Sequence, residues 1–80
     1  MDIIKNAQTR ADATIANIES QCASELAKIE QALQTRENSG FSNCTTGIAD
    51  PNMRDRISYY LSSKGYKIEY PSTTTIKIIW

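Results

Sequence analysis

KGYKIEYPSTTTIKIIW, residues 64–80, is the stretch of sequence that decides the fold. Apolar and polar side chains alternate in two short runs, which are separated by the turn-forming residues Pro71 and Ser72. Alternate residues of a strand point to the same face, so each run has one apolar face. The two faces consist of Tyr66, Ile68 and Tyr70 in the first run and Ile76, Ile78 and Trp80 in the second. The sequence therefore predicts an antiparallel β-hairpin.

The register of this hairpin follows from its charges. A three-residue connection would place Lys67 opposite Lys77, and like charges directly opposite each other destabilise a sheet. A five-residue connection avoids that repulsion and keeps the apolar faces together, so we predict the longer connection. The pairs in that register are Tyr70 with Ile76, Ile68 with Ile78 and Glu69 with Lys77.

A helix is predicted before the hairpin, over residues 51–64. Asp50 is a good N-cap residue, Pro51 is favoured at the first helical position, and Gly65 is the usual C-terminal cap. Its apolar face, which we expect to pack against the hairpin, consists of Met53, Ile57, Tyr60 and Leu61. The residues predicted to lie mostly outside that face, as a solvated surface, are Arg54, Asp55, Arg56, Ser58 and Lys64.

The segment from residue 38 to residue 50 is rich in Asn, Ser, Gly and Thr and predicts a loop, with Phe41 and Ile48 as apolar anchors. It has no GxxxxGK[ST] motif, so a phosphate-binding loop is the less favoured interpretation. An isolated hairpin is only marginally stable in water, and its open edge needs a partner. Two candidates are another subunit and a short third strand at residues 41–45.

Residues 2–36 contain no Gly or Pro and predict one long helix. IANIE at residues 15–19 returns as LAKIE at residues 26–30, which is an eleven-residue repeat. This period of about 3.67 residues per turn keeps an apolar stripe nearly straight along a helix. The stripe consists of Ile4, Ala7, Ala11, Ile15, Ile18, Cys22, Leu26, Ile29 and Leu33.

This stripe has two possible partners. An ordinary amphipathic helix packs on its own domain, but the rest of the chain is short for covering about 50 Å of helix. We therefore favour a seam with a second copy of the chain. The predicted architecture is α+β, in which an oligomerisation helix (residues 1–37) precedes a helix-plus-hairpin module (residues 38–80).

The composition argues against several functions. The chain has 80 residues, and its nine Lys and Arg balance nine Asp and Glu, so binding to a nucleic-acid polymer is not expected. It contains no histidine, and Cys22 and Cys44 lack metal-ligand or redox spacing, so neither a metal, a cofactor nor enzymatic catalysis is expected.

No stretch approaches the roughly 20 apolar residues of a membrane helix, and the chain has no signal peptide pattern. We expect a cytoplasmic protein with reduced thiols.

The C-terminal half contains an "A…G.FS" pattern within residues 32–42, then YLSSKGYKIEY at residues 60–70 and TTTIKIIW at residues 73–80. This half resembles small accessory proteins of tailed bacteriophages. The resemblance implies expression in the cytoplasm of a host bacterium and carries no particular activity. It does not include the eleven-residue repeat.

Two functional hypotheses follow. In the first, the protein is a non-enzymatic homo-oligomer that sequesters a small phosphate-containing ligand, such as a nucleotide defence signal, or a host protein. Basic and aromatic side chains between subunits would then hold phosphate and stack on a base. The candidate residues are Arg54, Arg56, Lys64, Tyr59, Tyr66 and Tyr70. In the alternative, the protein is a structural or assembly component of a phage particle and belongs to the virion.

Overall fold

The structure, a computed structural model, describes residues 3–80. It is an α+β fold of three helices and a three-stranded antiparallel sheet with strand order β1-β3-β2. The molecule is elongated and measures 52 × 24 × 21 Å. Its elements in chain order are α1 (Ala7–Gln21), α2 (Ala23–Asn38), β1 (Asn43–Gly47), α3 (Pro51–Ser63), β2 (Lys67–Ser72) and β3 (Thr75–Ile79).

The N-terminal helical region is divided at Cys22, where one continuous helix was expected. Cys22 has φ −114° and ψ 24°, outside the helical range, and it ends α1 and begins α2. Its amide still donates to Ile18, and its carbonyl accepts from Leu26, so the chain continues in the same general direction. α1 begins at Ala7 because the side chain of Asn6 caps the amide of Thr9 at 2.9 Å. The expected first residue of the helix, Asp2, lies outside the described residues.

α2 and α3 end in the same way, each at a glycine with positive φ. After α3, the Gly65 amide donates to Ser62 and the Tyr66 amide donates to Leu61, which is the hydrogen-bond pattern of a Schellman motif. Gly40 makes the equivalent turn after α2. The predicted stop at Gly65 is confirmed, and α3 ends one residue earlier than expected because Lys64 is the cap.

The predicted start of α3 is also confirmed. The Asp50 carboxylate accepts from the amides of Asn52, at 2.9 Å, and Met53, at 3.5 Å, and Pro51 is the first helical residue. Ile57 and Leu61 lie in the core, with Met53 and Tyr60 packed beside them. The prediction that Ser58 lies on the solvated side is wrong, because Ser58 is buried.

The hairpin of β2 and β3 confirms two of the three predicted pairs, Ile68 with Ile78 and Glu69 with Lys77. The five-residue connection is wrong. Beyond Glu69 the register shifts, and Ser72 pairs with Thr75, so the connection is the two residues between them. The structure does not pair Tyr70 with Ile76, because β2 has one residue more than β3 at this point, a β-bulge. Pro71 lies in this bulge on an edge strand, where its missing N–H is tolerated.

β1 covers the other edge of β3, so a segment of the same chain pairs with it. This third strand begins at Asn43, two residues later than expected, and Cys44 pairs with Ile78. The anchor predicted at Ile48 is buried, whereas Phe41 is 49% exposed and its ring lies 3.9 Å below the guanidinium of Arg36.

One apolar core lies between the sheet, α3 and the C-terminal part of the helical region. Ile57, Ile76 and Ile78 are its fully buried centre. The predicted apolar stripe enters this core from Ile18 onward. The other buried apolar residues are Cys22, Ile29, Leu33, Cys44, Ile48 and Leu61.

Candidate functional site

A groove of about 550 Å³ lies between α2 and the C-terminal end of α3. Its floor is apolar and includes Leu26, Leu33 and Leu61. One wall is the outer side of α2, where the small residues Ala23 and Ala27 are exposed. The opposite wall consists of Tyr60, Lys64 and Tyr66.

The rim of this groove is acidic. Glu19 and Glu30 lie along it, and Lys64 is the cation among its lining residues. The Lys64 ammonium lies 5.3 Å from the centre of the Tyr60 ring and so is held toward the α3 wall. Two carboxylates against one ammonium favour a cationic or neutral occupant over a phosphate group.

Tyr60 connects the α3 wall to the acidic rim. Its hydroxyl donates to a carboxylate oxygen of Glu19 at 3.2 Å. Burial raises the pKa of Tyr60 above its ordinary value, and the hydrogen bond to Glu19 and the negative charge of Glu19 raise that pKa further. Tyr60 is therefore a neutral hydrogen-bond donor at physiological pH.

A smaller hollow of about 220 Å³ continues the groove toward the C-terminus of the chain. Glu37 and Trp80 line it, and Trp80 packs edge-to-face against Tyr66 with ring centres 6.3 Å apart. Glu30, Lys64 and Tyr66 line both spaces, so they form one continuous trough with a third carboxylate at its end.

Only two of the six residues predicted from sequence to bind a ligand, Lys64 and Tyr66, line this trough. Arg54 and Tyr70 lie together elsewhere, beside the hairpin turn. Arg56 donates to the side chain of Gln21 at 3.3 Å. Tyr59 lines neither space and is 46% exposed. The structure does not bring the six together within one chain.

Arg54 has a structural role that the sequence did not indicate. Its guanidinium donates to the carbonyls of Thr73, at 2.8 Å, and Ser72, at 3.3 Å, and lies 5.1 Å from the centre of the Tyr70 ring. The prediction that Arg54 is a solvated surface charge is therefore wrong. It holds the hairpin turn against α3.

The first part of the predicted seam lies outside the core. Ile3 and Ile4 are 93% and 73% exposed, Ala7 is exposed, and Ala11 and Ile15 are half-buried. We call residues 3–15 the arm. The single apolar stripe is thus covered by the chain's own core in its second part and left open in its first.

Sequence reasoning missed the acidic groove, although the repeat contained a signal for it. Glu19 and Glu30 are the last residues of IANIE and LAKIE, eleven positions apart, which places both on one side of the helical region. Ala23 and Ala27 lie between them. These residues run beside the apolar stripe and were not predicted to form a site.

Within residues 3–80, no group of three or more His, Cys, Asp or Glu side chains is placed to hold a metal ion. The described helices are all too short or too polar to cross a lipid bilayer. No protein-family model, curated protein or solved structure matches this chain.

Proposed function

We propose that this chain is a non-enzymatic protein that associates with copies of itself through the arm and serves as a structural or assembly component. The observation that carries this proposal is the change in burial along one repeat. Most of its apolar residues from Ile18 onward are buried, whereas Ile4 and Ala7 are exposed and Ala11 and Ile15 are only half-buried. An apolar stripe that the chain's own core leaves exposed is typical of an interaction surface.

The stability of α1 supports the same conclusion. α1 has 15 residues, a length at which an isolated helix is marginal in water, and most helices gain their stability by packing an apolar face. Complete burial of an isoleucine side chain contributes about 1.5–3 kcal/mol. Covering Ile4 and Ile15 with another chain would therefore stabilise both the arm and the assembly.

The alternative hypothesis of a sequestered phosphate ligand receives less support. Arg54 is occupied by backbone carbonyls and Arg56 by Gln21, so neither arginine faces the trough. The trough itself is lined by more carboxylates than cations. Sequestration, the bacteriophage origin and the host cytoplasm stay predictions from the sequence.

The test is the mass of the native protein, measured by light scattering and native mass spectrometry, in two matched variants. Ala11→Asp places a charge on the open stripe, whereas Ala13→Asp makes the same change on the opposite, exposed side of the same helix. We expect a defined oligomer for the unmodified chain and for Ala13→Asp, and a monomer for Ala11→Asp. A monomeric unmodified chain would refute the proposal.

A further inference from the structure

We propose that the groove between α2 and α3 binds the arm of a second copy of this chain. This inference rests on the proposed self-association and names the surface on which the arm docks. In such an assembly the groove is incomplete without the partner, because one of its faces is another chain's helix.

The shapes of the two surfaces agree. The open stripe of the arm has two small residues, Ala7 and Ala11, one helical turn apart. The α2 wall of the groove also has two small residues one turn apart, Ala23 and Ala27. Small residues on both helices allow the two backbones to approach closely. The larger Ile15 on α1, and Ile4 in the segment that precedes α1, can then reach apolar surface in the trough.

The charges of the two surfaces are opposite. The arm carries Lys5 and Arg10 against the single carboxylate of Asp12. The groove carries Glu19 and Glu30 against Lys64. An arm lying in the groove therefore brings a net positive segment to a net negative rim, which steers association and disfavours other registers. The charges of the groove therefore favour the arm as its occupant over an apolar helix that lacks a net positive charge.

The occupant must belong to another copy, because a chain's own arm points away from its groove. Ala11 and Ala27 are sixteen residues apart along two consecutive helices, a separation of about 24 Å at the ordinary helical rise. The 52 Å length of the molecule agrees with an extended arm. If two copies exchange arms reciprocally, both grooves are filled and the assembly closes as a symmetric dimer.

Disulfide trapping tests this arrangement directly, since a disulfide requires Cα atoms within about 7 Å. An Ala11→Cys chain is mixed with an Ala27→Cys chain and oxidised. We expect a disulfide-linked dimer in this mixture and none when Ala13→Cys replaces Ala11→Cys. The native Cys22 and Cys44 are buried, so the unmodified chain serves as the background control.

The outcomes separate the two proposals. If the Ala11→Cys chain alone cross-links as efficiently as the mixture, arms pair with arms, and the groove assignment is overturned while self-association stands. An oligomer that forms no disulfide in any mixture overturns the groove assignment in the same way. A chain that is monomeric by native mass spectrometry refutes self-association itself.

A charge exchange provides an independent test on exposed residues. Glu30→Lys should weaken association by about tenfold, because it converts one attraction into repulsion. Combining it with Arg10→Glu should restore much of that loss. The matched control is Glu25→Lys on the same helix, outside the groove, which should leave the association constant unchanged. Equal effects of Glu30→Lys and Glu25→Lys would contradict the docking site.

Discussion

The hydroxyl of Tyr60 donates a hydrogen bond to the carboxylate of Glu19 across 41 residues of sequence, at a distance of 3.2 Å. This contact joins α3 to α1 immediately before the helical region is divided at Cys22. It also places Glu19 on the rim of the groove, where the negative charge is held in position. The same pair therefore serves the fold and the proposed docking surface.

The first prediction concerns the ionisation of Tyr60. Its pKa in the folded chain is raised above 10.0. At pH values between the unfolded and the folded pKa, Tyr60 therefore keeps its proton in the folded state and has lost it in the unfolded state. The stabilisation from this residue is complete below pH 10 and is lost as the pH rises through the folded pKa. Absorbance titration of the unmodified chain and of Tyr60→Phe should differ by one tyrosine that titrates above pH 10.0. A difference spectrum with a midpoint below that value would contradict the contact.

The second prediction concerns the cap of α3. Gly65 has φ +96°, and no atom would lie within 4 Å of an added Cβ, so Gly65→Ala strains only the backbone. We expect it to reduce the free energy of unfolding by about 1–2 kcal/mol. Gly47→Ala is the control, because Gly47 has an ordinary φ and the new methyl would lie 3.7 Å from the Thr74 carbonyl. Urea denaturation of both variants measures the difference. Equal losses in the free energy of unfolding would contradict the prediction that Gly65→Ala strains the backbone.

The third prediction concerns a buried hydroxyl. Ser58 is 5% exposed, and its Oγ has no hydrogen-bond partner within the described residues. Removing an unsatisfied buried polar group costs little and relieves its desolvation penalty, so Ser58→Ala should leave stability unchanged or raise it by about 1 kcal/mol. Ser62→Ala, on the exposed side of the same helix, is the reference in thermal denaturation. A clear loss in Ser58→Ala alone would mean that the hydroxyl has a partner in solution.

The fourth prediction concerns Arg54 and the hairpin turn. Arg54→Gln removes charged hydrogen bonds to two carbonyls, which should cost about 1–2 kcal/mol and loosen the turn. Amide hydrogen exchange at Thr74 and Thr75 should accelerate in this variant. Arg56→Gln, two residues away, removes only an exposed contact to Gln21 and should leave that exchange unchanged. Equal exchange in both variants would show that Arg54 does not hold the turn.

Local sequence patterns predicted part of the hairpin correctly and part of it wrongly. Alternation and the repulsion between Lys67 and Lys77 correctly predicted that Glu69 faces Lys77. The same reasoning missed the bulge, because it treated both strands as regular up to the turn. The bulge depends on the edge position of β2 and on the contact between Ser72 and Thr75, whose hydroxyls lie 2.8 Å apart. Neither feature can be inferred from periodicity.

The candidate site was harder to predict than the fold. Basic and aromatic residues were grouped by chemistry, but helix α3 distributes them around its circumference, so Arg54 and Arg56 point to different neighbours. The groove instead has Glu19 of α1 and Ala23, Ala27 and Glu30 of α2 on one side, and Tyr60 of α3 on the other. Their function depends on what lies opposite them, and a one-dimensional pattern does not contain that information.

The sequence by itself determined the ends of α3 and the apolar faces of the hairpin, but not the break at Cys22 or the bulge in β2. Asp50 and Pro51 start α3, Gly65 ends it, and strand alternation defines the apolar faces of the hairpin, because these are local preferences of backbone and side chain. Only the tertiary structure decided which part of the eleven-residue stripe is covered. The small core buries the stripe from Leu33 back to Ile18, whereas Ile15 is only half-buried and Ile4 is exposed, because the core is too short to cover the whole stripe.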